Sequence, residues 1–373
     1  MGNYRAKIPF RYDIVGSFLR PERLKEARAA FADGAISREE LTRVEDEEIR
    51  TLIEQQKKAG LKAVTDGEFR RRWWHLDFLS YLNGITVYDF ESSAFGVTAK
   101  MQNTYLSAPL SWNPEHPFLD HFRFTREAAG DEVLAKQTIP GPNMIYLDSV
   151  MLAKQYQEHP VYADHDAFVR DLAETYRQAI RAFYDAGCRY LQLDDTSWGA
   201  LFSDRFRQRL SDLGHDPDQL IQEFGDITEL ALEGRPEDMA ITMHMCKGNF
   251  MSHALYAGTY DKIAKRLLAI ENLDGFFLEY DDERSGSFEP LQNIRGQKVV
   301  LGLVTTKTDV MEDKEFIKSR IREAAQYVPL EQLCLSPQCG FSSTQEGNHI
   351  PEEFQWAKLR LIKEIADEVW GEN

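Results

Sequence analysis

In the stretch ITMHMCKG, His244 and Cys246 stand two positions apart in a run of β-forming residues. A strand repeats every two residues, so both side chains lie on one face and can share one ion. Zinc accepts imidazole nitrogen, thiolate sulfur and carboxylate oxygen in a tetrahedron, so such a pair needs two further donors from other strands. Glu279 in FFLEYD and Cys339 in SPQCGF supply them. Two thiolates and one carboxylate outweigh the two positive charges of Zn²⁺. A metal so surrounded is a poor activator of water but leaves an added thiolate electron-rich. The expected chemistry is activation of a thiol for attack on an electrophilic carbon.

These residues need elements to carry them, and eight short β-rich runs are legible: 12–17, 63–68, 137–142, 190–195, 239–246, 275–281, 298–305 and 333–340. Amphipathic helical stretches separate most of them, at 38–59, 166–186, 260–271, 313–327 and 352–370. Alternation of strand and helix predicts a parallel sheet, and eight units predict a (β/α)₈ TIM barrel, α/β in class. Residues 83–136, rich in aromatic, proline and turn residues, are too long for a plain connection and read as an insertion, a hairpin or a lid. With no linker, repeat or low-complexity tract, residues 1–373 are expected to form a single domain.

Unusual polar residues gather at the C-terminal ends of the predicted strands: Ser17, Asp66 and Glu68, Asp194 and Asp195, His244 and Cys246, Glu279, Lys307, and Cys339. In a barrel those ends form the active-site face. Solvation explains an acid or a lysine at a strand end, but not a His-X-Cys pair together with a late cysteine. The remaining cysteines differ: Cys334 lies between two leucines and Cys188 at a helix end, and both read as small core residues.

Composition excludes several classes of function. Lys and Arg total 44 against 61 Asp and Glu, and a net charge of −17 repels nucleic-acid phosphates and anionic lipid surfaces. No apolar run reaches the roughly 20 residues that cross a bilayer. The start carries no apolar signal core, and four cysteines in 373 residues are too few for a disulfide framework, so a soluble cytoplasmic protein is expected.

At the metal motif the chain resembles the cobalamin-independent methionine synthase family, specifically its catalytic C-terminal barrel, and the order of motifs matches over essentially the whole chain. The resemblance implies His244, Cys246, Glu279 and Cys339 as zinc ligands. IVGSF, TDGEF and LQLDD are similar to the family's amino-acid pocket, which implies that Ser17 helps hold the homocysteine carboxylate while Glu68 and Asp194 hold its ammonium. The implied reaction is methyl transfer to homocysteine, giving methionine. The donor would be 5-methyltetrahydrofolate, its polyglutamate or another methyl carrier. Two positions depart from the pattern. In IPGPNMIYLDS, Asp148 stands where the folate-binding enzymes carry a tryptophan, for which Trp73, Trp74, Trp112 or Trp198 could substitute. In GLVTTK, Lys307 replaces a proton-donating histidine and could serve in its place if burial lowered its pKa, or could equally bind an anionic group.

Two other readings compete. Alkyl transfer to coenzyme M, a thiol bearing a sulfonate, calls for basic residues, and Arg70, Arg71 and Arg72 follow Glu68, although such a run is expected to be solvated. A non-catalytic barrel with structural zinc predicts four ligands closed off from solvent with no acidic pocket beside them.

Overall fold

The computed structural model describes residues 5–92 and 99–371. Six parallel strands form one sheet: β5 (Gln137–Pro140), β6 (Tyr190–Asp194), β7 (Ala240–Met245), β8 (Gly275–Glu279), β9 (Lys298–Val304) and β10 (Leu333–Pro337), neighbours in chain order being neighbours in space. All residues of β6, β7, β8 and β10 are buried, as expected of strands covered on both faces.

The circuit closes through two less regular segments. The first predicted run, 12–17, is not a full strand. Tyr12 makes a single parallel bridge to Leu335, with Asp13 N–H donating to Leu335 O (3.0 Å) and Leu335 N–H to Arg11 O (2.8 Å). The second run is regular only over β1 (Ala63–Val64), which pairs with β4 (Leu134–Ala135). Beyond it the chain turns at Gly67 and Glu68, both with positive φ (66° and 59°). A Cβ at Gly67 would stand 2.3 Å from Leu52 Cδ2, so glycine is required there. The left-handed conformation of Glu68 is the uncommon one for a residue with a side chain, and such outliers gather at functional sites. The result is a (β/α)₈ barrel with two irregular staves.

Outer helices follow the periodicity. Helix Arg38–Lys58 starts with a capping box between Ser37 and Glu40, and helix His165–Asp185 is capped by Asp164. The stretch predicted at 260–271 is helical only over Asp261–Leu267. The insertion is a hairpin of β2 (Asn83–Ser92) and β3 (Ala99–Ser111), followed by helix Phe118–Ala129. Inside the barrel, the Lys136 ammonium lies 3.3 Å from Asp13 Oδ1 and over the rings of Tyr190 and Phe277, a buried cation met by a carboxylate and two aromatic faces.

Candidate metal centre and substrate cleft

Register brings the metal motif to the mouth of the barrel. Asp194 on β6 pairs with His244 on β7, and Glu279 ends β8 opposite Gly302 of β9. Cys246 and Cys339 follow the last residues of β7 and β10. One donor atom from each of His244, Cys246, Glu279 and Cys339 lies within 4.8 Å of the other three, and all four residues are buried. This is the quartet drawn from sequence.

Neither ring nitrogen of His244 has a hydrogen-bond partner of good geometry among the described residues, although the side chain is buried. An orphaned imidazole beside two sulfurs and a carboxylate fits a metal ion, which would satisfy it. The two sulfurs are 3.6 Å apart. Taken as bare groups they share a proton: the hydrogen bond holds the Cys246 thiol well up and the Cys339 thiol well down. Burial pushes Glu279 up to about 7, with the Lys307 charge acting against it. The backbone N–H of Lys247 donates to Glu279 Oε1 (3.1 Å), and the Tyr260 hydroxyl accepts from Glu279 N–H (2.9 Å), which fixes the end of the strand.

His244, Cys246 and Cys339 line a cleft of about 400 Å³, and Ser17, Glu68 and Asp194 line it too. The Ser17 hydroxyl accepts from Ser342 N–H (3.2 Å). A Cβ at Gly340 would stand 1.9 Å from Ser17 Oγ, so the residue after Cys339 must be glycine for Ser17 to sit there. Asp194 Oδ1 accepts from Gln192 Nε2 (2.7 Å), and burial raises the carboxyl to about 7. Glu68 Oε1 accepts from Thr138 Oγ1 (3.1 Å), and its Oε2 pairs with the Arg71 guanidinium.

Arg71 corrects the expectation of a solvated basic run. It is buried, and besides Glu68 it donates to Ser343 O (2.8 Å) and Ser342 O (3.2 Å). Arg70 pairs with Glu45 and Asp46 instead. Nothing in the string RRR distinguishes the middle arginine, because its role depends on a return of the chain at 342–343.

Lys307 lies outside the cleft lining. Its ammonium pairs with Asp281 Oδ2 at 2.9 Å. Burial acts to lower its pKa, but Glu279 and Asp281 outweigh that and leave it raised, the reverse of what a proton donor at this position requires. Among the tryptophans, Trp73 and Trp74 line the cleft, Trp73 stacking on Phe250 at 6.0 Å. Trp112 stacks on His116 and Trp198 is fully buried against Phe224, so neither takes that place. The hairpin supplies the facing wall through Tyr88 and Phe90 on β2 and Met101 on β3, and Asp148 faces the same space. The sequence marked the insertion but carried no sign of which of its side chains face inward.

A barrel with a candidate metal quartet of two sulfurs, an imidazole and a carboxylate at its mouth, beside an acidic and aromatic cleft, has the layout of an enzyme active site. Comparison with known proteins narrows the class. Residues 12–367 match the model of the cobalamin-independent synthase catalytic domain, and the chain belongs to the cobalamin-independent methionine synthase family, a family of methyltransferases. It is 46% identical to the uncharacterized protein YxjH of Bacillus subtilis, over 98% of this chain and 96% of that one. A Listeria monocytogenes structure assigned to the vitamin-B12 independent methionine synthases has 41% identity and a TM-score of 0.78, covering 98% of this chain and 99% of that one. A B12-independent methionine synthase from Shewanella sp. W3-18-1, in complex with selenomethionine, shares the fold at 19% identity and a TM-score of 0.71, over 96% and 97% of the two chains. No helix among the described residues is long and apolar enough to cross a membrane.

Proposed function

We propose that this protein, acting as a single barrel domain, transfers a methyl group to the thiol of homocysteine to give methionine. Zinc would be held by His244, Cys246, Glu279 and Cys339. The observation that carries the reading is the sharing of one cleft by three of those four donors and by Ser17, Glu68 and Asp194. Bound zinc supplies the positive charge that lets a thiol lose its proton near neutral pH while its sulfur stays nucleophilic.

The protein's own groups orient the acceptor. Glu68 already faces Arg71, so Asp194 is the carboxylate left to meet the homocysteine ammonium, whose positive charge would favour its ionised form. Ser17 keeps its hydroxyl proton for the carboxylate of the substrate, since its oxygen is the acceptor for Ser342 N–H. The selenomethionine held by the Shewanella enzyme is an amino acid of the same shape as the product, which supports this pocket. The sulfur then forms its bond to the methyl carbon as the bond from that carbon to the carrier breaks, and the carrier keeps the electron pair. Trp73, Trp74 and the hairpin aromatics offer flat faces to a ring-bearing carrier, which favours 5-methyltetrahydrofolate.

Coenzyme M is the weaker acceptor: Arg71, the buried arginine of the cleft, is committed to Glu68 and two carbonyls. A purely structural zinc is disfavoured because His244, Cys246 and Cys339 open onto the cleft.

The test is direct. Zinc-loaded protein given homocysteine and 5-methyltetrahydrofolate, as mono- and triglutamate, should form methionine and tetrahydrofolate in equal amounts. Coenzyme M in place of homocysteine should yield no methylated thiol. Absence of methionine with either folate, or equal reaction of both thiols, would overturn the reading.

A further inference from the structure

The cleft contains a carboxyl group used by neither the metal quartet nor the amino-acid pocket. Asp148 sits in the widened helical turn Ile145–Met151, where Leu152 N–H donates to Leu147 O, five residues back. Widened turns of this kind are frequent at functional sites. The carboxyl lines the cleft and accepts no hydrogen bond from the protein among the described residues. His75 Nε2 stands 3.9 Å from Asp148 Oδ2. His75 is half-buried, and its enclosed Nδ1 has no partner among the described residues.

The surroundings disfavour charge on both groups. Burial, with Arg71 adding to it, pushes the His75 imidazole down to about 3, so His75 brings no cation to Asp148. Burial and then the Asp195 carboxylate, at the end of β6, push Asp148 up to about 7, against the pull of Arg209 from helix Asp204–Asp212. The other titratable groups facing it are the phenols of Tyr88 on β2 and Tyr256 after β7, both of which feel its charge.

Resting on the proposed methyl transfer, we infer that Asp148 is the acid that protonates the departing methyl carrier. As the S–CH₃ bond forms and the carrier–CH₃ bond breaks, the carrier atom keeps the bonding pair and takes the proton of the Asp148 carboxyl. The carboxylate left behind regains a proton from water in the cleft. The thiol proton of the acceptor is released to solvent, so atoms and charge balance over one turnover. An acid titrating near the working pH is best matched to such a transfer. Lys307, the candidate from sequence, lies outside the cleft and is held as a cation by Asp281 and Glu279.

Asp148→Asn, Asp148→Glu and the parent, all zinc-loaded, would be compared in three measurements. With homocysteine and 5-methyltetrahydrofolate, Asp148→Asn should lower kcat roughly 10²-fold or more, at unchanged zinc content and homocysteine affinity, and Asp148→Glu should recover part of it. The fall of the parent's kcat above neutral pH should be absent from the residual activity of Asp148→Asn. Infrared difference spectra with ¹³C-labelled aspartate, which need no turnover, should show a protonated carboxyl that disappears as pH rises through about 7 in the parent and is missing in Asp148→Asn. A parent-like kcat in Asp148→Asn, or no such carboxyl at pH 6 in the parent, would overturn the inference. A parent that makes no methionine counts against the proposed function, and the infrared measurement still decides the state of Asp148.

Discussion

The sulfurs of Cys246 and Cys339 stand 3.6 Å apart although 93 positions separate them in the chain. The barrel makes the contact: the two cysteines follow β7 and β10, whose ends meet at one mouth. Replacing either by serine removes a thiolate from a four-donor site, so Cys246→Ser and Cys339→Ser should each abolish the roughly one zinc per chain expected of the parent. Cys188 and Cys334 are the controls. Burial raises their thiols to about 12 and about 11, which suits inert core residues, and their serine variants should keep the metal. Metal analysis of the four variants decides this, and full occupancy in Cys246→Ser would be fatal to the assignment.

Acceptor choice is tested at Asp194. Its Oδ1 is held by Gln192, and its Oδ2 has no protein partner among the described residues. If Oδ2 meets an ammonium, Asp194→Asn should weaken homocysteine binding by roughly 2 to 5 kcal/mol while sparing zinc. A thiol without the amino group, 4-mercaptobutyrate, should bind poorly to the parent and lose little more in the variant. Titration calorimetry of both thiols against both proteins is the measurement, and equal affinities in the parent would remove the amino-acid pocket.

Removing Arg71 should be costly in another way. Arg71→Met leaves the half-buried Glu68 without its cation and strands the carbonyls of Ser342 and Ser343. Breaking a buried pair from one side costs about 3 to 5 kcal/mol. Urea unfolding of metal-free protein should show that loss, and Arg71→Met/Glu68→Gln should restore part of it, since no uncompensated charge remains. A double variant no more stable than Arg71→Met would show that the pair itself is not the cause.

Much of the site was legible because a barrel turns sequence into position by a simple rule. His244 and Cys246 share a face through the period of two, and the strand ends that carry Asp194, Glu279 and Cys339 converge, with the irregular segment that carries Ser17, whatever the helices between them do. Interactions made by loops returning over the mouth were not legible. Arg71 is set by the carbonyls at 342–343, Lys307 is drawn away by Asp281, and the inward face of the hairpin depends on how β2 and β3 lie against the barrel. The segment at 12–17 was read as a strand from composition. It makes one bridge only, Tyr12 to Leu335, and it passes so close to the Glu68 carboxylate that a Cβ at Gly16 would stand 2.8 Å from it.

Asp148 should also leave a signature in stability. Its folded-state pKa, about 7, lies above the value near 3.9 of an unfolded aspartate, so between these limits the folded chain binds more protons than the unfolded one. Stability of the parent from this group therefore falls as pH rises from about 4 to about 7 and is level above that. Asp148→Asn has no such titration. The difference in unfolding free energy, variant minus parent, should climb across that window, reaching at most about 4 kcal/mol in the limit of the full shift. Urea unfolding of metal-free parent and variant at pH 4.5, 6 and 8 measures it. A difference that is flat over those three values would mean that the carboxyl ionises in the folded chain as it does in the unfolded one.

The last prediction concerns the methyl carrier. Trp73 and Trp74 line the cleft, whereas Trp112 and Trp198 are packed in the core, so a carrier that stacks against the wall should quench only part of the tryptophan emission. Trp73 is already stacked on Phe250, at 6.0 Å and 6° between planes, while the ring contact of Trp74 among the described residues is with the small His75 ring, 4.6 Å away and tilted by 39°. Trp74 therefore has the face more available to a ligand. Stacking a flat heterocycle on an aromatic side chain is worth about 1 to 3 kcal/mol. Trp74→Ala should then weaken 5-methyltetrahydrofolate binding about 5- to 150-fold, the range that energy implies, and remove most of the quenching, with homocysteine affinity unchanged. Trp112→Phe should leave both binding and quenching as in the parent. Fluorescence titrations of the three proteins are sufficient, and undiminished folate affinity in Trp74→Ala would place the carrier against the hairpin wall of Tyr88 and Phe90 instead.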